Sequence, residues 1–243
     1  MRQSRKRNVI LILLLSICLL AAVCVWYVSD DYKCEEEVQS YFQKNDPVKI
    51  EEIENGLLLD GTGNENAFIF YPGAKVEYTA YVPLLYQIAE NGTDVFLMKM
   101  PCNLAFLGMN RADDIIRGYK YSYWYLGGHS LGGAMAAAYA AEYLDNLDGL
   151  VLLAAYPTKS LQSEGFSVRS LYGSEDGVLH MEKVEQGRAY MPDDYTEICI
   201  QGGNHAQFGN YGEQKKDGVA ALSREEQQRQ TARAICEMME KLP

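Results

Sequence analysis

Basic side chains, histidines and metal-ligand patterns are scarce in this chain, and each shortage argues against a class of function. Of 243 residues, 22 are Lys or Arg against 33 Asp or Glu, for a formal charge of −11. Four of the basic residues, Arg2, Arg5, Lys6 and Arg7, precede any acid, so residues 29–243 carry 18 basic and 33 acidic side chains. Binding a phosphate backbone needs clustered cations that displace counterions, so this balance argues against a nucleic-acid partner. Six cysteines occur without a Cys-x-x-Cys pair or a Cys/His ligand spacing, which argues against structural zinc; no metal or other cofactor is expected. No internal repeat, low-complexity run or domain-splitting linker interrupts the chain. What the sequence does have is core material: 48% apolar and 23% charged residues describe one compact domain plus one special segment, not a disordered acidic tail.

The special segment is N-terminal. Val9–Val28, VILILLLSICLLAAVCVWYV, holds 20 residues without a charge, enough helix to cross a hydrocarbon core of about 30 Å. A secretory signal carries an apolar stretch of about 7–15 residues and a small-x-small cleavage site, and neither is evident before Ser29-Asp30-Asp31. A lipoprotein signal needs small residues before a cysteine, but Val23 precedes Cys24 and Ile17 precedes Cys18. An uncleaved signal anchor is therefore expected ahead of a cleaved signal or a buried core helix. The basic flank puts the N-terminus in the cytoplasm and the domain outside, with Trp26 and Tyr27 at the outer interface. The expected organisation is a basic N-terminus over 1–8, a single membrane span over 9–28, a juxtamembrane helix and linker over 29–46, and the folded domain over 47–243. Cys34, Cys102, Cys199 and Cys236 then face an oxidising side. A Cys34–Cys236 bridge is one reading; four buried or free thiols is the other.

Tyr32 to Lys44 reads as a short polar helix ended by Pro47. Val48–Ile53 and Gly56–Asp60 alternate apolar residues around an Asn-Gly turn signal and form a hairpin. Strands then alternate with helices: strand 67–71, helix 78–90, strand 94–100, a weaker helix 112–120, strand 122–126, an Ala-rich helix after Gly132-Gly133, strands 150–155 and 167–172, a helix 178–186, strand 197–200, and a helix 223–242 opened by a Ser223/Glu226 capping box. This alternation predicts an α/β fold with a mostly parallel sheet and helices on both faces.

Gly128-His129-Ser130-Leu131-Gly132 matches Gly-x-Ser-x-Gly and stands between a strand and a helix, the setting of the nucleophile elbow of α/β hydrolases. Side chains at Gly128 or Gly132 would collide with neighbouring strand and helix, and the helix N-terminus favours a developing oxyanion. A serine nucleophile needs a base, and the base an orienting acid. His129 lies inside the elbow and His180 in a predicted helix, whereas His205 follows the strand 197–200 in a loop, where the chain order Ser, acid, His puts the base. Gly173-Ser174-Glu175-Asp176-Gly177 supplies the acid, assigned to Asp176 with Glu175 as the alternative. For the oxyanion hole, the backbone N–H of Leu131 is one donor. The other comes from Pro72-Gly73-Ala74-Lys75, with Ala74 ahead of Gly73 because proline has no N–H; Lys75 is a rim charge or a solvated lysine. Asn103, Leu104, Phe106, Leu107 and Tyr156 follow strand C-termini and are pocket candidates, with simple core cover an equal reading for the apolar ones.

The runs 70–76 (FYPGAKV), 99–106 (KMPCNLAF), 128–133 (GHSLGG) and 202–209 (GGNHAQFG) together resemble the short bacterial α/β hydrolases related to dienelactone hydrolase, over roughly residues 47–240. The resemblance implies a serine esterase-type site at Ser130, Asp176 and His205. Two departures stand out: Tyr71-Pro72-Gly73 replaces the His-Gly of many lipases at the oxyanion loop, and Ser130 stands where dienelactone hydrolase has cysteine, so its substrate does not carry over. Only 157–166 separates two strands where many relatives insert a cap domain, so no large cap is expected. The reading is a membrane-anchored extracytoplasmic serine hydrolase acting on a small-molecule, lipid or envelope ester. Its competitors are a non-catalytic envelope binding or scaffold domain on the same fold and a peptidase or acyltransferase with the same triad.

Overall fold

The computed structural model describes residues 2–44, 47–63 and 65–240. The chain divides into two units, Met1–Asp31 and Tyr32–Pro243. The first is one helix, α1 (Arg2–Ser29), whose described side chains from Leu11 to Leu20 are exposed. Among the described residues, no helix is long and apolar enough to cross a membrane. The expected span Val9–Val28 thus finds no support there, and the side chains of Val9, Ile10, Ala21 and residues 24–28 lie outside the description.

The second unit is built on an eight-stranded sheet: β1 (Lys49–Ile53), β2 (Gly56–Asp60), β3 (Asn66–Tyr71), β4 (Asp94–Met98), β5 (Tyr123–His129), β6 (Gly149–Leu153), β7 (Ser167–Gly173) and β8 (Asp194–Ile200). Their spatial order is β1-β2-β4-β3-β5-β6-β7-β8. The β1–β2 and β2–β4 pairs are antiparallel and all others parallel. The middle strands read as unbroken apolar runs because both of their faces are covered: in β3, Phe68 and Phe70 face one core and Ala67, Ile69 and Tyr71 the other. The first core is closed by α2 (Val82–Glu90) and α6 (Arg224–Met239), the second by α3 (Ala112–Gly118) and α4 (Leu131–Ala140). A further helix, α5 (Met181–Gly187), follows β7. No helix lies between β6 and β7, in keeping with the expected absence of a large cap.

Several element ends differ from the sequence expectation for local reasons. Helix α2 begins at Val82, after a 3-10 turn over Tyr78–Tyr81, with proline in its first turn, where the missing N–H has no cost. Ser223 caps α6 as expected, accepting from Glu226 N–H at 3.3 Å. Strand β5 runs on to His129 because parallel pairing with β6 continues to His129–Leu153.

The 32–44 segment forms a 3-10 helix over Glu36–Gln43 and packs on the folded unit, with Val38 fully buried. Tyr32 bridges to Val76, Glu35 and Glu37 pair with Arg224, and Asn210 donates to Glu37 at 2.8 Å. The Cys34–Cys236 bridge is not formed. Both thiols are free, as are Cys102 and Cys199; Cys236 lies in the α6 core, where burial pushes its thiol up to about 11.

Candidate active site

Strand β5 delivers its last residue, His129, to the C-terminal edge of the sheet, and α4 begins two residues later. Ser130 makes the turn between them at φ 53° and ψ −123°, a backbone state that costs a non-glycine residue about 1–3 kcal/mol. It is held by Ser130 N–H donating to Leu153 O at 2.9 Å. The turn has no room for side chains on either side. A Cβ at Gly132 would stand 2.1 Å from Tyr71 O and 2.3 Å from Pro72 O, and one at Gly128 2.6 Å from Tyr71 O. The two glycines therefore let the loop after β3 lie directly against the elbow.

Asp176 and His205 meet from the ends of β7 and β8. His205 Nδ1 is 2.9 Å from Asp176 Oδ2, and both side chains are only 2% exposed. The other carboxylate oxygen, Oδ1, accepts from the N–H groups of Val178 at 2.9 Å and Leu179 at 2.8 Å, so the acid cannot swing away. With the carboxylate on Nδ1, the ring proton sits on Nδ1 and Nε2 carries a lone pair. Nε2 is buried and makes no hydrogen bond among the described residues. Glu175, the alternative acid, instead accepts from Ser174 Oγ.

Of the oxyanion candidates, Leu131 opens α4, so its N–H has no carbonyl one turn back. Gly73 is removed as a donor because its N–H already donates to Tyr81 Oη at 3.1 Å. Ala74 N–H makes no hydrogen bond among the described residues. Lys75 N–H is held by Asn103 O at 2.8 Å.

Ser130, Leu131, Tyr156 and His205 line one cavity of about 280 Å³, together with Ala134, Ala154, Ala155, Val178, Leu179 and His180. A larger opening of about 420 Å³ lies between the β1–β2 hairpin and the end of β4 and is bounded by none of these residues; the smaller one holds the reactive groups. Asn103, Leu104 and Phe106 are not brought to it. Leu104 is buried in its own loop, Asn103 uses its carbonyl on Lys75, and exposed Phe106 lines a separate groove with Leu107 and Met109.

The alpha/beta hydrolase family model matches residues 67–229. The chain belongs to the alpha/beta hydrolase family. No curated protein matches it in sequence. Among solved structures, this hydrolase is similar in fold to a predicted CIB-like hydrolase from Thermoplasma acidophilum, with a TM-score of 0.60, 14% identity and coverage of 78% of this chain and 98% of that one. It is similar also to a dienelactone hydrolase from Anabaena variabilis, with a TM-score of 0.58, 14% identity and coverage of 82% and 100%. For Est1E from Butyrivibrio proteoclasticus the TM-score is 0.56, at 14% identity over 81% and 100% of the two chains.

Two features of the hydrolase site escaped sequence reading. His180 does not lie within a helix: it precedes α5 in extended conformation and faces the reactive cavity. Asp217 binds the loops of Asp176 and His205 together, accepting from the N–H groups of Gly177 at 3.1 Å, His205 at 3.2 Å, Ala206 at 2.8 Å and Gly218 at 2.9 Å. One of two acids in the polar stretch 213–217, it carries no local signal for that task.

Proposed function

We propose that this hydrolase cleaves carboxylic esters through an acyl-enzyme, with Ser130 as nucleophile, His205 as base and Asp176 as the orienting acid. The observation that carries the reading is the buried Asp176–His205 pair at 2.9 Å and a serine held in a strained elbow, with Ser130 and His205 lining one cavity. His205 Nε2 takes the Ser130 proton as Oγ attacks the ester carbonyl, and Asp176 stabilises the imidazolium that results. The N–H groups of Leu131 and Ala74 receive the oxyanion. His205 then protonates the leaving alcohol, and a water deprotonated by the same nitrogen releases the acid and restores Ser130. The small, largely apolar cavity suits a short uncharged acyl group. Purified full-length protein should hydrolyse a chromogenic short-chain ester and be labelled by a fluorophosphonate; Ser130→Ala should lose both. Turnover retained by Ser130→Ala, or a folded wild type that neither turns over nor labels, overturns the reading, and the second result favours a non-catalytic binding domain.

We also infer a single membrane span over residues 9–28, with the hydrolase domain outside the cytoplasm. Support comes from the sequence: 20 consecutive uncharged residues behind four basic ones. The full-length chain should stay in the membrane pellet after alkaline carbonate extraction and be digested by protease added to intact cells. Release into the supernatant overturns the span.

A further inference from the structure

His129 has no role in the triad, yet it is buried at the centre of the site. Its ring centroid lies 4.5 Å from that of His205 and 5.5 Å from that of Phe208. Its Nδ1 is 2.8 Å from Tyr81 Oη, and the same Tyr81 oxygen accepts the N–H of Gly73 at 3.1 Å. Tyr81 is fully buried and stands at the entrance to α2. A Cβ at Gly73 would reach both groups, 2.8 Å from Tyr81 Oη and 2.9 Å from His129 Nδ1, so the three fit as one unit.

We infer that Tyr81 and His129 are positioning residues that set the oxyanion hole, by fixing the Gly73–Ala74 turn so that the Ala74 N–H stays free for the reacting oxygen. The inference rests on the serine-hydrolase reading above and deepens it. The hydrogen-bond directions are assigned so that the Tyr81 hydroxyl proton is used. Tyr81 Oη uses a lone pair on Gly73 N–H, so its own proton needs an acceptor, and His129 Nδ1 is the acceptor within reach. That requires a neutral His129 with its proton on Nε2. Burial, followed by the neighbouring His205, holds the His129 ring well below the ordinary histidine range and thus in that neutral form. Desolvation holds the Tyr81 phenol protonated. The relay therefore keeps a fixed proton arrangement while His205, alongside, gains and loses a charge during turnover. It also accounts for the Gly73 N–H being taken up while Ala74 N–H is not: a turn rotated to release Gly73 would withdraw Ala74. A preorganised donor is effective only when it aims at the oxyanion before the charge develops.

The test compares wild type, Tyr81→Phe, His129→Leu, His129→Asn and Ser130→Ala as full-length proteins on p-nitrophenyl butyrate, with phenylboronic acid as a tetrahedral-adduct probe. Removing an oxyanion donor outright lowers kcat by about 10²–10³, and a misaimed one should lower it by about 10- to 100-fold. Tyr81→Phe is expected to show that loss with KM within about threefold of wild type, and a boronate inhibition constant raised in proportion to the fall in kcat/KM. Asn places an acceptor oxygen near the Nδ1 position, so His129→Asn should exceed His129→Leu in kcat by about tenfold. A folded Tyr81→Phe with wild-type kcat overturns the inference. Should that variant fail to fold, equal kcat for His129→Asn and His129→Leu overturns it. Ser130→Ala separates the two claims: if it stays active, the serine-hydrolase reading itself has failed, whereas an inactive Ser130→Ala beside a fully active Tyr81→Phe removes only the positioning role.

Discussion

Asp217 illustrates how one carboxylate can support a site without lining its cavity. It accepts four backbone N–H groups, from Gly177 in the Asp176 loop, from His205 and its neighbour Ala206, and from Gly218. Hydrogen bonds to an ionised group contribute about 1.5–3 kcal/mol each, and here they join two loops that arrive from different strands. Asp217→Ala should lower stability by roughly 3 kcal/mol and, because Asp176 and His205 lose their common support, reduce kcat by tenfold or more. Asp217→Asn keeps an acceptor oxygen but loses the charge, and should fall between the two. Urea unfolding followed by ester kinetics on the folded fraction checks both; an Asp217→Ala protein with wild-type kcat would show that the loops hold their places without it.

At the scale of elements, the site is a junction where β3, β5 and α4 meet without side chains between them. Gly132→Ala pushes a methyl group to 2.1 Å from Tyr71 O, and neither backbone can retreat, since β3 is paired on both edges by β4 and β5. Thermal unfolding should show a loss well beyond the few tenths of a kcal/mol of an ordinary surface substitution, on the order of 3 kcal/mol or more; a Gly132→Ala protein as stable as wild type would mean that the elbow has room to yield. The same junction marks how far the fold could be read from sequence. The elbow was legible because Gly128, Ser130 and Gly132 record a local steric demand, and β3 and β6 because strands covered on both faces need unbroken apolar runs. Chain order brought out Asp176 and His205, which the fold joins at 2.9 Å. By contrast, Leu104 and Phe106 resembled pocket residues because apolar loop side chains look alike whichever way they point. Tyr81 and Asp217 are not legible in the sequence because their importance comes from contacts with residues distant along the chain, and of the two readings of Cys34 and Cys236 the free thiols hold, since two ends of a domain need not meet in bonding geometry.

At the scale of the molecule, an acidic chain with a formal charge of −11 gains relief from self-repulsion as pH falls, so its response to acid turns on the carboxylates that are held ionised by specific partners. Glu197 on β8 is the clearest. Arg188 grips it with Nε at 2.8 Å and Nη2 at 2.7 Å, Tyr195 donates at 2.7 Å and Tyr172 from β7 at 2.9 Å. Arg188 first, then the two phenols, lower its carboxyl to about 2. A carboxyl depressed on folding stabilises the native state above the ordinary carboxylate range, and that stabilisation is lost as pH falls from about 4.5 towards about 2. Because Arg188 is half-exposed, solvent screening keeps the effect modest, but its pH window is specific. Urea midpoints of wild type and Glu197→Gln should differ most near neutral pH, with wild type the more stable, and converge as pH approaches the lowered value, since protonated Glu197 and glutamine offer Arg188 the same absence of charge. A gap that stays constant down to about pH 2.5 would mean that the cluster acts through packing of Tyr172 and Tyr195 and not through the charge of Glu197.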